Sequence, residues 1–88
     1  MNENEKFIRD NIPSLLLDRR VKSKAEEIGG EWKLDEVHCI HPMPSNIGFA
    51  AAFHIDANRS VNVVAKIHRE NRTFSNVEVQ VMGVAKPN

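Results

Sequence analysis

The chain has 88 residues, which suits one domain with a modest core. Twelve acidic residues balance twelve basic ones, and a formal net charge of zero argues against an electrostatic nucleic-acid binder, which carries a basic excess. A single cysteine, Cys39, excludes an intrachain disulfide, and neither a long apolar run nor a signal-peptide pattern is present, so we expect a cytoplasmic protein without a membrane span.

The first third of the chain reads as helical. Glu3 to Asp10 predicts a short helix anchored by Phe7 and Ile8. Pro13 disturbs it, because proline lacks the N–H and disfavours helix in the residue before it. A second helix is expected to start between Asn11 and Ser14 and to run to about Ile28. Within it Leu17, Val21, Ala25 and Ile28 share one apolar face. Asp18 and Lys22 are spaced for an i,i+4 ion pair. Gly29-Gly30 ends the segment. The pattern fits one kinked helix or two short ones. Arg19, Arg20, Lys22 and Lys24 form a basic run that reads as a solvated helix face, since Glu26 and Glu27 follow it. Gly29-Gly30 is no phosphate loop, because it follows a helix and such loops precede one.

From Glu31 the period changes from about 3.6 to 2. Strands are expected over 32–41, 47–56, 60–69 and 73–84, joined through Pro42–Asn46, Asp56–Ser60 and Glu70–Arg72. Such short links predict an antiparallel meander. Lys86-Pro87-Asn88 reads as a frayed tail. The sharpest pattern is Ile47 to Ile55. Ile47, Phe49, Ala51, Phe53 and Ile55 make one side an apolar ridge, whereas Gly48, Ala50, Ala52 and His54 leave the other almost flat. Glycine and alanine are poor strand formers, so the flat side predicts that something approaches it closely.

Register follows from the apolar faces. Pairing Ile55 with Val61 also pairs Phe53 with Val63, Ala51 with Ala65 and Phe49 with Ile67, all facing inward. Val77, Val79 and Val81 continue that face if the third loop has an odd length. In the first strand Val37, Cys39 and His41 are expected inward. Trp32 and Leu34 have the opposite parity, which a bulge near Asp35 or Glu36 would repair, unless Trp32 packs over the sheet edge.

The expected fold is therefore α+β: an N-terminal helical segment packed on one face of a four-stranded antiparallel meander. The other face is expected to carry Ile40, Gly48, Ala50, Ala52, Val64, His68, Phe74 and Met82. Around them stand His38, His54, Asn62, Lys66, Asn76, Glu78 and Gln80. A partly apolar surface rimmed by polar groups marks an interaction site.

Catalytic chemistry finds less support. His38-Cys39-x-His41 suggests metal ligands, but a structural zinc site needs four, and His38 points away from the face that Cys39 and His41 would share. An inward Cys39 also lacks the solvent access of a reactive thiol. Glu36 with His38, and His54 beside Asp56, are the acid–base candidates nearest the flat patch. We assign no catalytic residue, metal or cofactor. The leading expectation is a non-enzymatic binding or assembly module that forms a homodimer or higher oligomer through the outer sheet face. One alternative is a small inhibitor or adaptor that uses this face on a different protein. Another is a small-ligand binder or enzyme with a pocket between helix and sheet lined by Trp32, His41, Met43 and Phe53. A helix packed flush on the sheet would remove that pocket.

Overall fold

In the computed structural model, which describes residues 2–83, short helices precede a single sheet. Helices α1 (Glu3–Asp10) and α2 (Ile12–Leu17) form one kinked stretch, and α3 (Arg19–Ile28) follows as a separate helix. Asn2 caps α1, its side chain accepting from the Glu5 N–H at 2.8 Å. At the kink, the Asn11 side-chain amide donates to the Phe7 carbonyl at 2.7 Å. Pro13 lies in the first turn of α2, where its missing N–H breaks no helical bond.

The expected continuous helix to Ile28 breaks at Asp18, whose backbone is extended (φ −60°, ψ 132°). Asp18 caps α3 by accepting from the Arg20 N–H at 2.9 Å and also takes the Arg20 guanidinium. The expected Asp18–Lys22 pair is thus replaced, because the capping carboxylate turns back over the first turn of α3. The break also changes the phase of the apolar face. Leu17, expected inside with Val21, is 73% exposed, and burial falls instead to Ile8, Ile12, Leu15 and Val21. Gly29 ends α3 with φ 78°, as its position after the last apolar residue predicts.

The strands are β1 (Lys33–Pro42), β2 (Asn46–Asp56), β3 (Arg59–His68) and β4 (Phe74–Gly83), paired antiparallel in the order β1-β2-β3-β4. The helices cover one face. Across that face run the rows Leu34–Phe53–Val61–Val81, Val37–Ala51–Val63–Val79, Cys39–Phe49–Ala65 and Pro42–Ile47–Ile67–Phe74. The apolar ridge of β2 from Ile47 to Phe53 is fully buried among them.

The β2–β3 register differs from the expected one by two residues: Phe53 faces Val61 and Ile47 faces Ile67. The turn is tighter than expected, with Asp56 opposite Arg59. Its carboxylate accepts from the Asn58 N–H and the Arg59 Nε, each at 2.9 Å. A two-residue slip leaves every side chain on its own face, so the expected inward set survives.

Besides a register shift at Ile55, next to the second turn, three irregularities set the remaining faces. The one at Asp35, between Leu34 and Glu36, repairs the parity of β1 as expected, and Trp32 packs against Phe53 with ring centroids 5.7 Å apart. A second, at Ile40, was not foreseen. Cys39 still faces Phe49 on the core side, but His41 faces Gly48 and turns to the bare side. The third lies at Asn76, which has φ 53°. The Arg69–Thr73 connection pairs Ile67 with Phe74, and the bulge then sets Glu78 opposite Val64. Phe74 therefore belongs to the core, not to the outer face, and meets Phe49 edge-on at 6.3 Å. Beyond the bulge Val77 and Val79 face inward as expected. The tail at Lys86-Pro87-Asn88 lies outside the described residues.

Three arginines fasten the helical layer to the sheet. Arg20 donates to the Phe74 carbonyl at 2.8 Å, and Arg59 donates to the Ile28 carbonyl, in the last turn of α3, at 3.1 Å. Arg69 reaches the Asn4 side chain at 3.1 Å and the Met43 carbonyl at 2.9 Å. Each satisfies a backbone carbonyl at an end of an element or in a connection. The basic run that contains Arg20 predicts a solvated helix face, whereas the structure gives Arg20 this fastening role.

Candidate functional site

Among the described residues, nothing covers the second face of the sheet. Its rows, from β1 to β4, are Lys33–His54–Ser60–Met82, Glu36–Ala52–Asn62–Gln80, His38–Ala50–Val64–Glu78 and His41–Gly48–Lys66–Ser75. Gly48, Ala50, Ala52 and Val64 occupy the two central strands and are only half-buried. They form a low strip down the middle of the sheet. Met82 at one corner is 49% exposed and Ile40 at the other is 59% exposed.

Two bulges shape one end of the strip. Between Ile40 and Asn76 lies an open hollow of about 370 Å³ lined by Ile40, His41, Gly48, Val64, Lys66 and Glu78. His41 lies directly opposite Gly48, and a Cβ on Gly48 would sit 3.3 Å from the Cβ of His41. Glycine here thus makes room for a cross-strand neighbour of the same chain.

Six of the eight expected surface residues lie on this face or line its hollow: Ile40, Gly48, Ala50, Ala52, Val64 and Met82. His68 stands at its end, with Nε2 3.2 Å from the Ser75 Oγ. Phe74 is absent from it. His41 is the residue that sequence reasoning missed. A signal existed: keeping both Pro42 and Ile47 on the core side forces one residue of slack between Cys39 and Pro42.

The candidate pocket is not assembled. Trp32 and Phe53 meet at one end of the sheet, whereas His41 stands nine positions along the chain from Trp32, about 30 Å at the usual strand rise. The helices pack flush, with Phe53 fully buried, and among the described residues no cavity is lined by Trp32, His41, Met43 and Phe53 together.

The Ile40 bulge also separates Cys39 from His41, which lie on opposite faces rather than on one. Among the described residues no group of three or more His, Cys, Asp or Glu side chains is placed to hold a metal ion. Glu36 and His38 do pair, at 2.9 Å, but both are exposed to solvent. A surface pair of this kind contributes little to stability. His54 lies 3.8 Å from Asp35 and lines a shallow hollow together with Asp56.

The perturbed carboxylates sit elsewhere and have structural causes. The Arg20 side chain holds the Asp18 carboxyl below its ordinary value, and Asp18 in turn raises the Arg20 guanidinium. Asp56 is lowered first by the Asn58 N–H and then by Arg59. Both carboxylates serve a helix cap or a turn, so neither marks a reaction centre.

Among the described residues no helix is long and apolar enough to cross a membrane. No family model matches the chain, and comparison with curated proteins and with solved structures found no significant match.

Proposed function

We propose that this protein is a non-enzymatic assembly module that binds a second copy of itself through the bare face of its sheet. The observation that carries the reading is the low Gly48–Ala50–Ala52 strip on a face without helices. Small side chains at the centre allow another sheet to approach closely. Val64, Ile40 and Met82 supply apolar area around them, and Asn62, Gln80, Lys66 and Glu78 provide polar groups to fix orientation. A contact of roughly 600–800 Å² per subunit would fall at the lower end of stable interfaces. The absence of net charge leaves self-association unopposed. The reading carries with it a cytoplasmic location, where the free thiol of Cys39 stays reduced.

The test is the solution mass by light scattering on an eluting column over a wide concentration range. Wild type is expected to be a dimer or larger. Ala50→Arg, which places a charge at the centre of the strip beside Val64, is expected to abolish that face contact and leave a folded protein. If Ala50→Arg assembles like wild type, the face is not the interface. A wild-type monomer would make a different protein the occupant of the face.

A further inference from the structure

Two bulges on opposite edge strands shape one place on the bare face. The bulge at Ile40 brings His41 over to it, and the one at Asn76 leaves that residue, at φ 53°, as an extra position beside it. Bulges are over-represented next to active sites, where they re-aim a side chain. The hollow between them, of about 370 Å³, falls within the usual size of a small-molecule site. Gly48 and Val64 line it with little relief, and Ile40 adds an apolar wall. Lys66 and Glu78 border it from adjacent strands in adjacent rows, Lys66 opposite Ser75 and Glu78 opposite Val64. Among the described residues neither enters an ion pair. Elsewhere on or beside this face opposite groups do meet, Glu36 with His38 at 2.9 Å and His54 with Asp35 at 3.8 Å.

We propose that this hollow binds a small zwitterion with a short apolar chain, the class of the aliphatic amino acids. The ligand's carboxylate meets the Lys66 ammonium and its ammonium meets the Glu78 carboxylate. Its chain lies over Gly48 and Val64, against Ile40. The charges select this class. A simple carboxylate with the same chain would bring like charge to Glu78, and a simple amine would bring like charge to Lys66. Only a ligand that carries both charges answers both side chains, through hydrogen bonds of the stronger, ionised kind. Glycine at position 48 suits the close approach of a ligand to the backbone. The site is complete within one copy, so it goes beyond the face contact proposed above and does not depend on it.

The test is titration of isotope-labelled protein with leucine, followed by amide NMR shifts, in the native chain and in Ala52→Arg. Position 52 lies four residues along β2 from Gly48, about 13 Å away, and an arginine there keeps a second copy from covering the hollow. Leucine is expected to shift the Gly48 and Val64 signals saturably, with a dissociation constant of about 1 mM or below. Isocaproate has the same chain without the ammonium, and isoamylamine has it without the carboxylate. Each is expected to bind about fivefold more weakly or worse. Glu78→Gln should remove the preference for leucine over isocaproate, and Lys66→Gln the preference over isoamylamine. No saturable shift at Gly48 and Val64 in either chain, or analogues that bind as well as leucine, would overturn the proposal. Light scattering of the native chain reads the face contact separately. A native monomer that binds leucine keeps this site and sinks the face reading. A native dimer whose Ala52→Arg variant ignores leucine does the reverse.

Discussion

Arg20 donates to the backbone carbonyl of Phe74 at 2.8 Å, and the same nitrogen lies 2.9 Å from the carboxylate of Asp18. The break between α2 and α3, the cap of α3 and the first residue of β4 therefore meet on one side chain. Arg20→Ala is expected to lower stability by about 0.5–1 kcal/mol, through the lost hydrogen bond to the Phe74 carbonyl more than through the ion pair, since both are exposed and water can replace the guanidinium. Asp18→Ala should cost about 1 kcal/mol as a lost cap, and Asp18→Asn clearly less, since asparagine caps well. Urea unfolding of the three variants checks the order.

Acid should weaken the fold through Asp18 and Asp56. Both carboxyls sit below the ordinary value of 3.8 when folded. The unfolded chain therefore binds protons first as pH falls. Their contribution is complete well above pH 4 and is lost as pH falls through the unfolded value and then the lower folded ones. Denaturation midpoints measured from pH 6 to pH 2 should fall most steeply at the acid end. The Asp18→Asn, Asp56→Asn double variant should show a shallower slope there. An unchanged slope would place the acid sensitivity in other groups.

Phe74 and Met82 make a pair of opposite expectations. Phe74 packs edge-on to Phe49 in the core, so Phe74→Ala should cost about 2 kcal/mol, below the usual range for a fully buried phenylalanine because it is only half-buried. Met82→Ala should change stability by less than about 0.5 kcal/mol, as an exposed position does. Its effect should appear as weaker self-association in light scattering. A Phe74→Ala protein of wild-type stability would contradict the core position.

Gly29 and Gly30 both have positive φ, at 78° and 81°. An added Cβ meets nothing at Gly29, but at Gly30 it would run into Cγ2 of Ile55. Gly29→Ala should therefore cost only the backbone strain, about 1 kcal/mol, and Gly30→Ala about 1 kcal/mol or more beyond that. Thermal melts of the two variants give the comparison directly.

Most of the fold was legible because its signals were local. The alternation from Ile47 to Ile55 defined β2 and both of its faces, and Gly29-Gly30 marked the end of the helices. What escaped notice depended on single residues that change phase. Asp18 can continue a helix or cap the next one, and the choice of capping exposed Leu17. The turn at Ala57-Asn58 moved the β2–β3 register by two without moving any side chain to another face. The bulges at Ile40 and Asn76 each shift parity by one, and so exchanged His41 and Phe74 between core and surface. The flat strip could be read from alternation alone. The hollow beside it could not, since it forms between two bulges on opposite edges of the sheet.

The bulge at Asn76 gives β4 an asymmetric tolerance to changes in length. Deleting that one residue would set Val77 opposite Ala65 and let the ladder run on uninterrupted from Phe74, with Val77 and Val79 still toward the helices and Glu78 still on the bare side, whereas one further residue there would turn Val77 and Val79 to water. A two-residue insertion at the Ala57-Asn58 turn would leave every face as it is. The chain should thus accept insertions at its second hairpin in pairs, and loss but not gain of a single residue at the bulge of its third.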